Sequence, residues 1–449
     1  MFETLKNAFK VKEIRHKIYW TLLFLLIYRI GCFIPVPGIG EHLLDSEQLA
    51  NASYLSIMSM MTGGSLANGT LFAMGIGPYI NSSIIVQLLA VAIPALERLS
   101  KQGEEGRKKI AQITRYLTIV LAVIQSIGIL VSYGSASSSG NFASLSAMYA
   151  GGSDKVNGFT NFLAYFTVIL FYTAGSMITV WIGERITDYG VSNGISLLIF
   201  TGIVASAAKF TVQEFQTIFL GSEFDRVALL KFVVYILITL VLFTAIVWVE
   251  LAERKIPVQY AKQVKGRKMY GGQSTVIPIK VNANGVMPLI FAFSILTFPE
   301  LIMTLFNATT ALSWWSTWLG SQSRYPFYSI FLCLFIFGFA FFYTQIQFNP
   351  EDISKTIQQN GGFIPGIRPG KPTADYLKKI SNRITLFGAF FLAIVALVPS
   401  IVLNAVISSG EASGAFSATG MLIVVSVAIE FNNALESQIM MKNYKGFLK

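Results

Sequence analysis

Side chains that could carry out catalysis or bind a metal are few in this sequence. Its 449 residues include two histidines and two cysteines. The histidines, His16 and His42, are too far apart for an HExxH zinc motif, and the cysteines, Cys32 and Cys333, lie in apolar runs and give no disulfide framework. Residues 366–371 lack the spacing of a phosphate-binding P-loop, and no GxSxG nucleophile motif occurs. The sequence therefore predicts no enzyme, no cofactor and no metal site.

A different kind of chemistry is indicated by the pattern of residues 76–87. Ile76, Ile80 and Ile84 recur every four residues and lie on one face of a helix. The neighbouring faces carry the polar residues Asn81, Ser82, Ser83 and Gln87. This pattern fits lipid-facing isoleucines with ordinary polar contacts between helices. It also fits a helix contact that can open, because each polar pair adds only about 1 kcal/mol.

The chain has the composition of a membrane protein. It is 53% hydrophobic and 13% charged, and the charged fraction is about half that of a soluble domain. Charges inside the apolar stretches are rare, which argues against an ion-coupled transporter. Arg29 is the deepest of them. It either caps carbonyl groups at a helix end or extends outward to the membrane surface.

Ten apolar stretches approach the roughly 20 residues that a membrane crossing needs. They are residues 18–34, 76–96, 116–132, 159–182, 195–208, 229–251, 286–306, 327–346, 384–407 and 414–435. The loops on one side of these spans hold 28 of the 34 Lys and Arg residues. Because positive loops stay in the cytoplasm, both termini are predicted to be cytoplasmic, and most of the net charge of +11 lies there.

Residues 54–74 are apolar, but they are too short and too interrupted to form a span. Gly63, Gly64, Asn68 and Gly69 break them. The segment is either an external loop packed on the membrane surface or a short helix that dips into a cavity on the external side. Its glycines and methionines would let it move and repack.

Two long cytoplasmic loops, residues 251–285 and 347–383, hold 13 of the basic residues. The first also contains Tyr260 and Tyr270, and the second contains the turn-rich run 361–370. These loops either set the topology and contact anionic lipids, or they dock an acidic or nucleic-acid partner. The stiff turn of glycines and prolines favours docking, because a loop that only sets topology needs no such turn.

Several motifs together resemble the SecY family, the channel subunits of the protein translocon. The first half of the chain has Arg29-Ile30-Gly31, Pro35-Val36-Pro37-Gly38, Gly77-Pro78-Tyr79-Ile80 and Gly183-Glu184-Arg185. The second half has Tyr260-Ala261-Lys262, Pro278-Ile279-Lys280-Val281-Asn282, Phe348-Asn349-Pro350 and Gly366-Ile367-Arg368-Pro369-Gly370. The motifs follow the family order over nearly the whole chain, and the loop forms are similar to those of bacterial members.

The resemblance implies an all-α polytopic membrane protein with ten transmembrane helices. Two pseudo-symmetric five-helix halves would form a clamshell around an hourglass pore, with a re-entrant plug helix. The N-terminal half would be residues 1–208 and the C-terminal half residues 209–435, followed by a cytoplasmic tail of residues 436–449. An odd number of helices per half would invert the halves relative to each other.

The resemblance also assigns roles to residues. The pore would narrow at an isoleucine ring formed by Ile76, Ile80, Ile195, Ile199, Ile290 and Ile423. A plug segment, residues 54–72, would rest against this ring and would include Ile57, Met58, Met60, Met61, Gly63 and Gly64. A lateral gate would include Asn81, Ser82, Gln87, Gln125, Ser294 and Thr297. Cytoplasmic partners would dock at Arg254, Lys255, Lys262 and Arg368.

The implied function is the passage of unfolded secretory polypeptides across the bacterial plasma membrane and the lateral release of transmembrane segments, without catalysis. The implied partners are SecE-type and SecG-type membrane subunits, a SecA-type motor ATPase, the ribosome with its RNA, signal peptides and nascent chains, and anionic lipids. A secondary transporter of small solutes is the alternative, and it predicts paired ionisable groups along the pore instead of isoleucines.

Overall fold

A computed structural model of the chain describes most of its residues. The described ranges are 2–37, 53–136, 158–219, 226–260, 263–265, 268–270, 274–282, 285–306, 314–315, 317–319, 327–406 and 418–446. Structural statements below refer to these ranges.

The described chain is mostly helical, with one small sheet and one short hairpin. The helices of the first half are α1 Phe2–Lys10, α2 Lys12–Gly31, α3 Ser53–Thr62, α4 Gly77–Ala92, α5 Pro94–Lys101, α6 Glu104–Ala136, α7 Gly158–Tyr189 and α8 Gly194–Phe219. Those of the second half are α9 Arg226–Glu250, α10 Met287–Leu305, α11 Phe327–Gln347, α12 Pro350–Gln359, α13 Lys371–Val406 and α14 Ala418–Gly446. The strands are β1 Glu253–Tyr260, β2 Gln263–Lys265, β3 Lys268–Tyr270, β4 Ser274–Lys280 and β5 Gly362–Phe363.

Each predicted span overlaps a helix within the described residues, and the second span overlaps two, because long apolar runs must satisfy their backbone groups internally. Among the described residues, six helices are long and apolar enough to cross a membrane, and the bent pair formed by α4 and α5 is a seventh candidate. The total of ten crossings remains a prediction. The predicted boundary at residues 208 and 209 falls inside α8, which runs on to Phe219.

The second predicted span, residues 76–96, is not one straight helix. The helix α4 ends at Ala92, and the chain turns by 108° into α5. Pro94 lacks an N–H and pushes the preceding residue out of the helical region, and Ile93 accordingly has φ −106° and ψ 113°. The helix α4 therefore has 16 residues, or about 24 Å at 1.5 Å per residue, which is shorter than a membrane core.

The sequence predicts only a long basic loop over residues 251–285, but the described part of this loop forms strands. β1 pairs antiparallel with β4, and β5 adds two residues at the other edge of β1. Ile256 and Val258 are buried between exposed neighbours, which is the period-2 pattern of a half-buried strand. Pro257 is tolerated because β5 pairs only with Gln259 and Tyr260, so the second edge of β1 is free at the proline.

The sheet is anchored to the helices by its own apolar cluster. Ile256, Val258 and Ile279 from the sheet pack against Ile357 of α12 and Leu377 of α13. Separate clusters hold the helices of each half together, and a further cluster joins the halves at the isoleucine ring. The sheet therefore lies at one end of the helical bundle, and we call the two sides of the ring the sheet side and the plug side.

Candidate pore and its plug

The six isoleucines of the ring come from four helices and lie in one apolar cluster. Ile76, Ile199 and Ile423 are buried in it, and Ile80, Ile195 and Ile290 pack against it. Most of these residues lie in the first two turns of their helices, because α4, α8 and α10 all begin close to the ring. At the start of α8, for example, Asn193 Oδ1 accepts a hydrogen bond of 3.1 Å from the backbone N–H of Ile195.

The plug segment covers one side of the ring. It consists of α3 and the turns that follow, and Met60 and Met61 belong to the same cluster as the isoleucines. A void of about 60 Å³ lies between Met58, Met60 and Met61 and the ring residues Ile80, Ile290 and Ile423. The backbone of Ile57 lies in α3, and its side chain lies outside the described part of the structure.

The plug segment is held by close backbone contacts with two long helices. A Cβ on Gly175 of α7 would lie 1.9 Å from the carbonyl oxygen of Leu71, and one on Gly202 of α8 would lie 1.9 Å from that of Met61. Both positions therefore need glycine. Ser176 Oγ also donates a hydrogen bond of 3.1 Å to the carbonyl oxygen of Gly75. The backbone of the plug segment is thus in close contact with α7 and α8, although the segment is not part of a predicted membrane span.

On the sheet side of the ring lies a cavity of about 770 Å³. Its apolar lining includes Ile80, Ile84, Val286, Ile290, Phe291, Ile423 and Val427. Its polar lining includes Glu250, Lys280, Asn282, Ser426, Glu430 and Asn433. Glu250 connects several of the polar residues, because its two carboxylate oxygens accept hydrogen bonds from Asn282 Nδ2 at 2.8 Å and Ser426 Oγ at 3.0 Å.

The predicted gate residues divide into three groups. Asn81, Ser294 and Thr297 line the small void beside the plug segment. Gln87 joins α4 to α11, since its Oε1 accepts a hydrogen bond of 2.5 Å from the hydroxyl of Tyr343 on α11.

The remaining two gate candidates make no such contact. Ser82 is buried, and its hydroxyl donates to the carbonyl oxygen of Pro78 in its own helix at 2.8 Å. Gln125 is buried on α6, and its amide atoms have no hydrogen-bond partner among the described residues.

The apolar contacts between the helices α4 and α6 on one side and α10 and α11 on the other were not predicted from the sequence. Ile84 of α4, Phe291 of α10 and Tyr343 of α11 form a cluster in which the rings of Phe291 and Tyr343 lie 4.8 Å apart. The helix α10 also packs directly on α6. Tyr343 is 256 positions from Gln87, and no local pattern could have linked the two.

The predicted docking residues are exposed on the sheet and on the turn next to it. Arg254 and Lys255 lie on β1, where Lys255 Nζ is 3.2 Å from the carboxylate of Glu253. Arg368 lies in the turn before α13, and its carbonyl oxygen accepts a hydrogen bond of 2.8 Å from Thr373 Oγ1. Gly366 and Gly370 on either side have φ values of 83° and 99°, which keeps this turn tight. Lys262 lies outside the described residues.

Three comparisons show which known proteins this chain is similar to. A sequence model of the SecY family matches residues 70–432. A relative from Streptomyces galbus, named protein translocase subunit SecY, is 39% identical over 459 residues, with 100% of both chains covered. A solved SecY channel, described as having a plug domain that stabilises the closed state, aligns with TM-score 0.62 at 21% identity, covering 94% of this chain and 92% of that one. Sec61 in a canine ribosome–channel complex aligns with TM-score 0.62 at 18% identity and the same coverage.

Proposed function

The chain belongs to the SecY family, and we propose that its isoleucine ring is the constriction through which unfolded secretory polypeptides pass. As a member of this family it is a multi-pass membrane protein and the channel subunit of a protein translocase, and it is not an enzyme. The proposal for the ring rests on one observation. Isoleucines from four helices meet in one cluster that has the plug segment on one side and a large cavity on the other.

Isoleucine suits a constriction that must pass a polypeptide and exclude ions. Its side chain offers no ligand to replace the hydration shell of an ion, so an apolar ring resists wetting when it is empty. The same side chains can pack around a passing chain of any sequence. Because the ring is shared among α4, α8, α10 and α14, small movements of these helices would change its diameter.

We propose that the cavity on the sheet side is the cytoplasmic entrance and that the plug segment closes the external side at rest. The orientation is supported by the distribution of basic residues, since the loops that form the sheet and α12 hold 13 of them. On this basis we place both termini in the cytoplasm, and the bacterial relatives support the bacterial plasma membrane as the location. The entrance is lined by apolar residues and by the carboxylates of Glu250 and Glu430, which suits a signal peptide with a basic region followed by an apolar region.

The interface of α4 and α6 with α10 and α11 is our candidate for the lateral gate. It is held by the Phe291–Tyr343 contact and the Tyr343–Gln87 hydrogen bond. A few such contacts can separate at low cost, because a hydrogen bond between membrane helices contributes about 1 kcal/mol. Transmembrane segments of a substrate would leave the entrance cavity between these helices and enter the lipid.

Cytoplasmic partners are proposed to dock on the exposed basic residues of the sheet and its neighbouring turn. Arg254, Lys255 and Arg368 form this surface, with Lys262 in the same loop. The ribosome is supported as a partner by the ribosome-bound Sec61 channel, which shares this fold. A SecA-type motor, SecE-type and SecG-type subunits and anionic lipids remain proposals that follow from the family.

The proposal for the ring is tested by cross-linking from inside it. A photo-reactive amino acid at Ile80 or Ile290 should give adducts with an arrested, signal-bearing secretory chain. The same probe at Leu240, which is 58% exposed on the outer side of α9, serves as the control and should give none. If both ring positions are incorporated normally and give no adducts, the ring is not the path of the polypeptide.

The docking proposal is tested by charge reversal. Arg368→Glu should reduce motor-driven export severalfold while the protein still inserts normally, because one charge among 28 hardly alters topology. Lys10→Glu makes the same change on α1, away from the sheet, and should leave export unchanged. Normal export by vesicles that contain the Arg368→Glu variant would contradict docking at this residue.

A further inference from the structure

One cation within the helical bundle has no role in the pore described so far. Arg29 lies in the last turn of α2. Its Nη1 atom is buried and has no hydrogen-bond partner among the described residues. The rest of the side chain is only partly buried. An unsatisfied guanidinium nitrogen is costly at membrane depth, and cations placed there usually have a function.

The guanidinium of Arg29 contacts the C-terminal end of the plug helix α3. A Cβ on Gly63 would lie only 2.6 Å from Arg29 Nη1, so the cation lies directly against the backbone there. Gly63 has a φ of 72° and ends α3 in a Schellman motif. Its N–H donates to the carbonyl oxygen of Met60 at 3.3 Å, and the N–H of Gly64 donates to that of Ser59 at 2.8 Å.

Electrostatics favours this arrangement. The aligned peptide dipoles of a helix place about half a negative charge at its C-terminal end, and a cation there stabilises the helix in that position. The effect is larger where water is excluded, and the Nη1 atom of Arg29 is buried. Arg29 therefore stabilises α3 in its place against the ring.

The helix α8 contributes to the same contact from the opposite side. Ser206 Oγ donates a hydrogen bond of 3.0 Å to the carbonyl oxygen of Met60. Lys209, one turn further along α8, has its Nζ 3.8 Å from the position of a Cβ on Gly64. The end of α3 is therefore bracketed by two cations and one hydroxyl.

We propose that Arg29 is an electrostatic latch for the plug segment, with Lys209 as a weaker second cation. This inference rests on the proposed role of the plug segment as the resting seal. Arg29 contacts the plug and not the passing polypeptide, so it is a positioning residue. Without its charge, the plug segment is retained by apolar contacts, backbone packing and the weaker contacts of Ser206 and Lys209, and a larger fraction of channels has the plug released at rest.

The protein contains its own reporter for this release. Cys32 is buried next to the plug segment, in the cluster of Met60 and Phe72, and its thiol lies within hydrogen-bonding reach of Ser65 and Arg29. In a Cys333→Ser background, the rate at which a membrane-impermeant maleimide alkylates Cys32 in the assembled translocase measures how often the plug is released. Loss of a nearby cation lowers the thiolate fraction and would slow alkylation, so a faster rate must come from exposure.

We expect Arg29→Met to raise the alkylation rate about tenfold, which corresponds to about 1.4 kcal/mol. Arg29→Lys keeps the charge and should stay within about twofold of the parent, and Lys209→Met should raise the rate about threefold. Lys231→Met, which removes a cation from α9, is the matched control and should change nothing.

An unchanged rate in Arg29→Met, or an equal rise in Arg29→Lys, would overturn the proposal. Should Arg29→Met fail to insert into the membrane, an unchanged rate in Lys209→Met overturns it instead. Export of a secretory polypeptide by the parent chain in the same vesicles tests the proposed channel function separately. Normal export with an unchanged alkylation rate refutes only the latch.

Discussion

The two sides of the isoleucine ring are built in opposite ways. On the plug side, α3 and its turns pack against the ring and leave a void of about 60 Å³ beside it among the described residues. On the sheet side lies a cavity of about 770 Å³ with both apolar and polar lining residues. The same ring residues, Ile80, Ile290 and Ile423, face both spaces.

This difference fits the proposal that the ring and the plug segment have separate tasks. An apolar ring alone can exclude ions only while it is narrow and dry. Under the proposal, the plug segment adds a second barrier on one side, where it makes close backbone contacts at Gly175 and Gly202. The described residues on the sheet side leave the cavity open, which would let a polypeptide approach the ring from there.

Removing the plug segment should abolish the difference between the two sides and have the largest effect. Deletion of residues 57–67 is expected to raise the resting ion conductance of reconstituted channels by about tenfold or more, because the ring then lacks its second barrier. The conductance is measured across planar bilayers. An unchanged conductance would mean that residues 54–72 are only a surface loop.

Displacing the plug segment without deleting it should give a smaller effect. In Gly202→Ala the new methyl group would lie 1.9 Å from the carbonyl oxygen of Met61, and such overpacking costs about 1–3 kcal/mol. We expect a raised resting conductance with normal membrane insertion. Gly338→Ala in α11 meets nothing within 4 Å and is the matched control. Equal conductance of the two variants would contradict the close contact between α8 and the plug segment.

Loosening the sheet side at the gate should have the smallest effect. Tyr343→Phe removes the hydrogen bond to Gln87 and lowers the cost of separating α4 from α11 by about 1 kcal/mol. Lateral release of a weakly hydrophobic test segment should rise about fivefold, and the resting conductance should stay the same. Tyr116→Phe, at a residue that is 73% exposed on α6, should behave like the parent. Reduced release by Tyr343→Phe would show that this bond does not hold the gate.

Much of the fold could be predicted from composition and periodicity. The long apolar runs each became a helix because the backbone has no other way to satisfy its polar groups in lipid. The motifs identified the family, and the comparisons confirm that assignment together with the helical membrane fold and the channel function. The breaks at Gly63 and Gly64 predicted where α3 ends, since both residues have positive φ.

Contacts between distant parts of the chain could not be predicted in this way. Nothing in the sequence near Arg29 indicates that it reaches Gly63, and nothing near Gln87 points to Tyr343. The strands of residues 253–280 were missed for a different reason. Pro257 and Pro278 argue against strands in a sequence-based prediction. The tertiary arrangement accommodates Pro257, because β5 pairs with β1 only at Gln259 and Tyr260 among the described residues. The assignments of the ring, the lateral gate and the docking residues therefore remain proposals, and the variants described above test them.

The central claim, that the ring separates an open side from a closed one, is tested most directly by thiol accessibility on its two sides. In a Cys32→Ser, Cys333→Ser background, Ser196→Cys places a thiol in the sheet-side cavity and Ser294→Cys places one in the plug-side void. With an impermeant maleimide added to either side of sealed vesicles, position 196 should react only from the cytoplasmic side. Position 294 should react from neither side until residues 57–67 are deleted, and then only from the external side. Alkylation of position 294 from the cytoplasmic side in the resting channel would contradict the account.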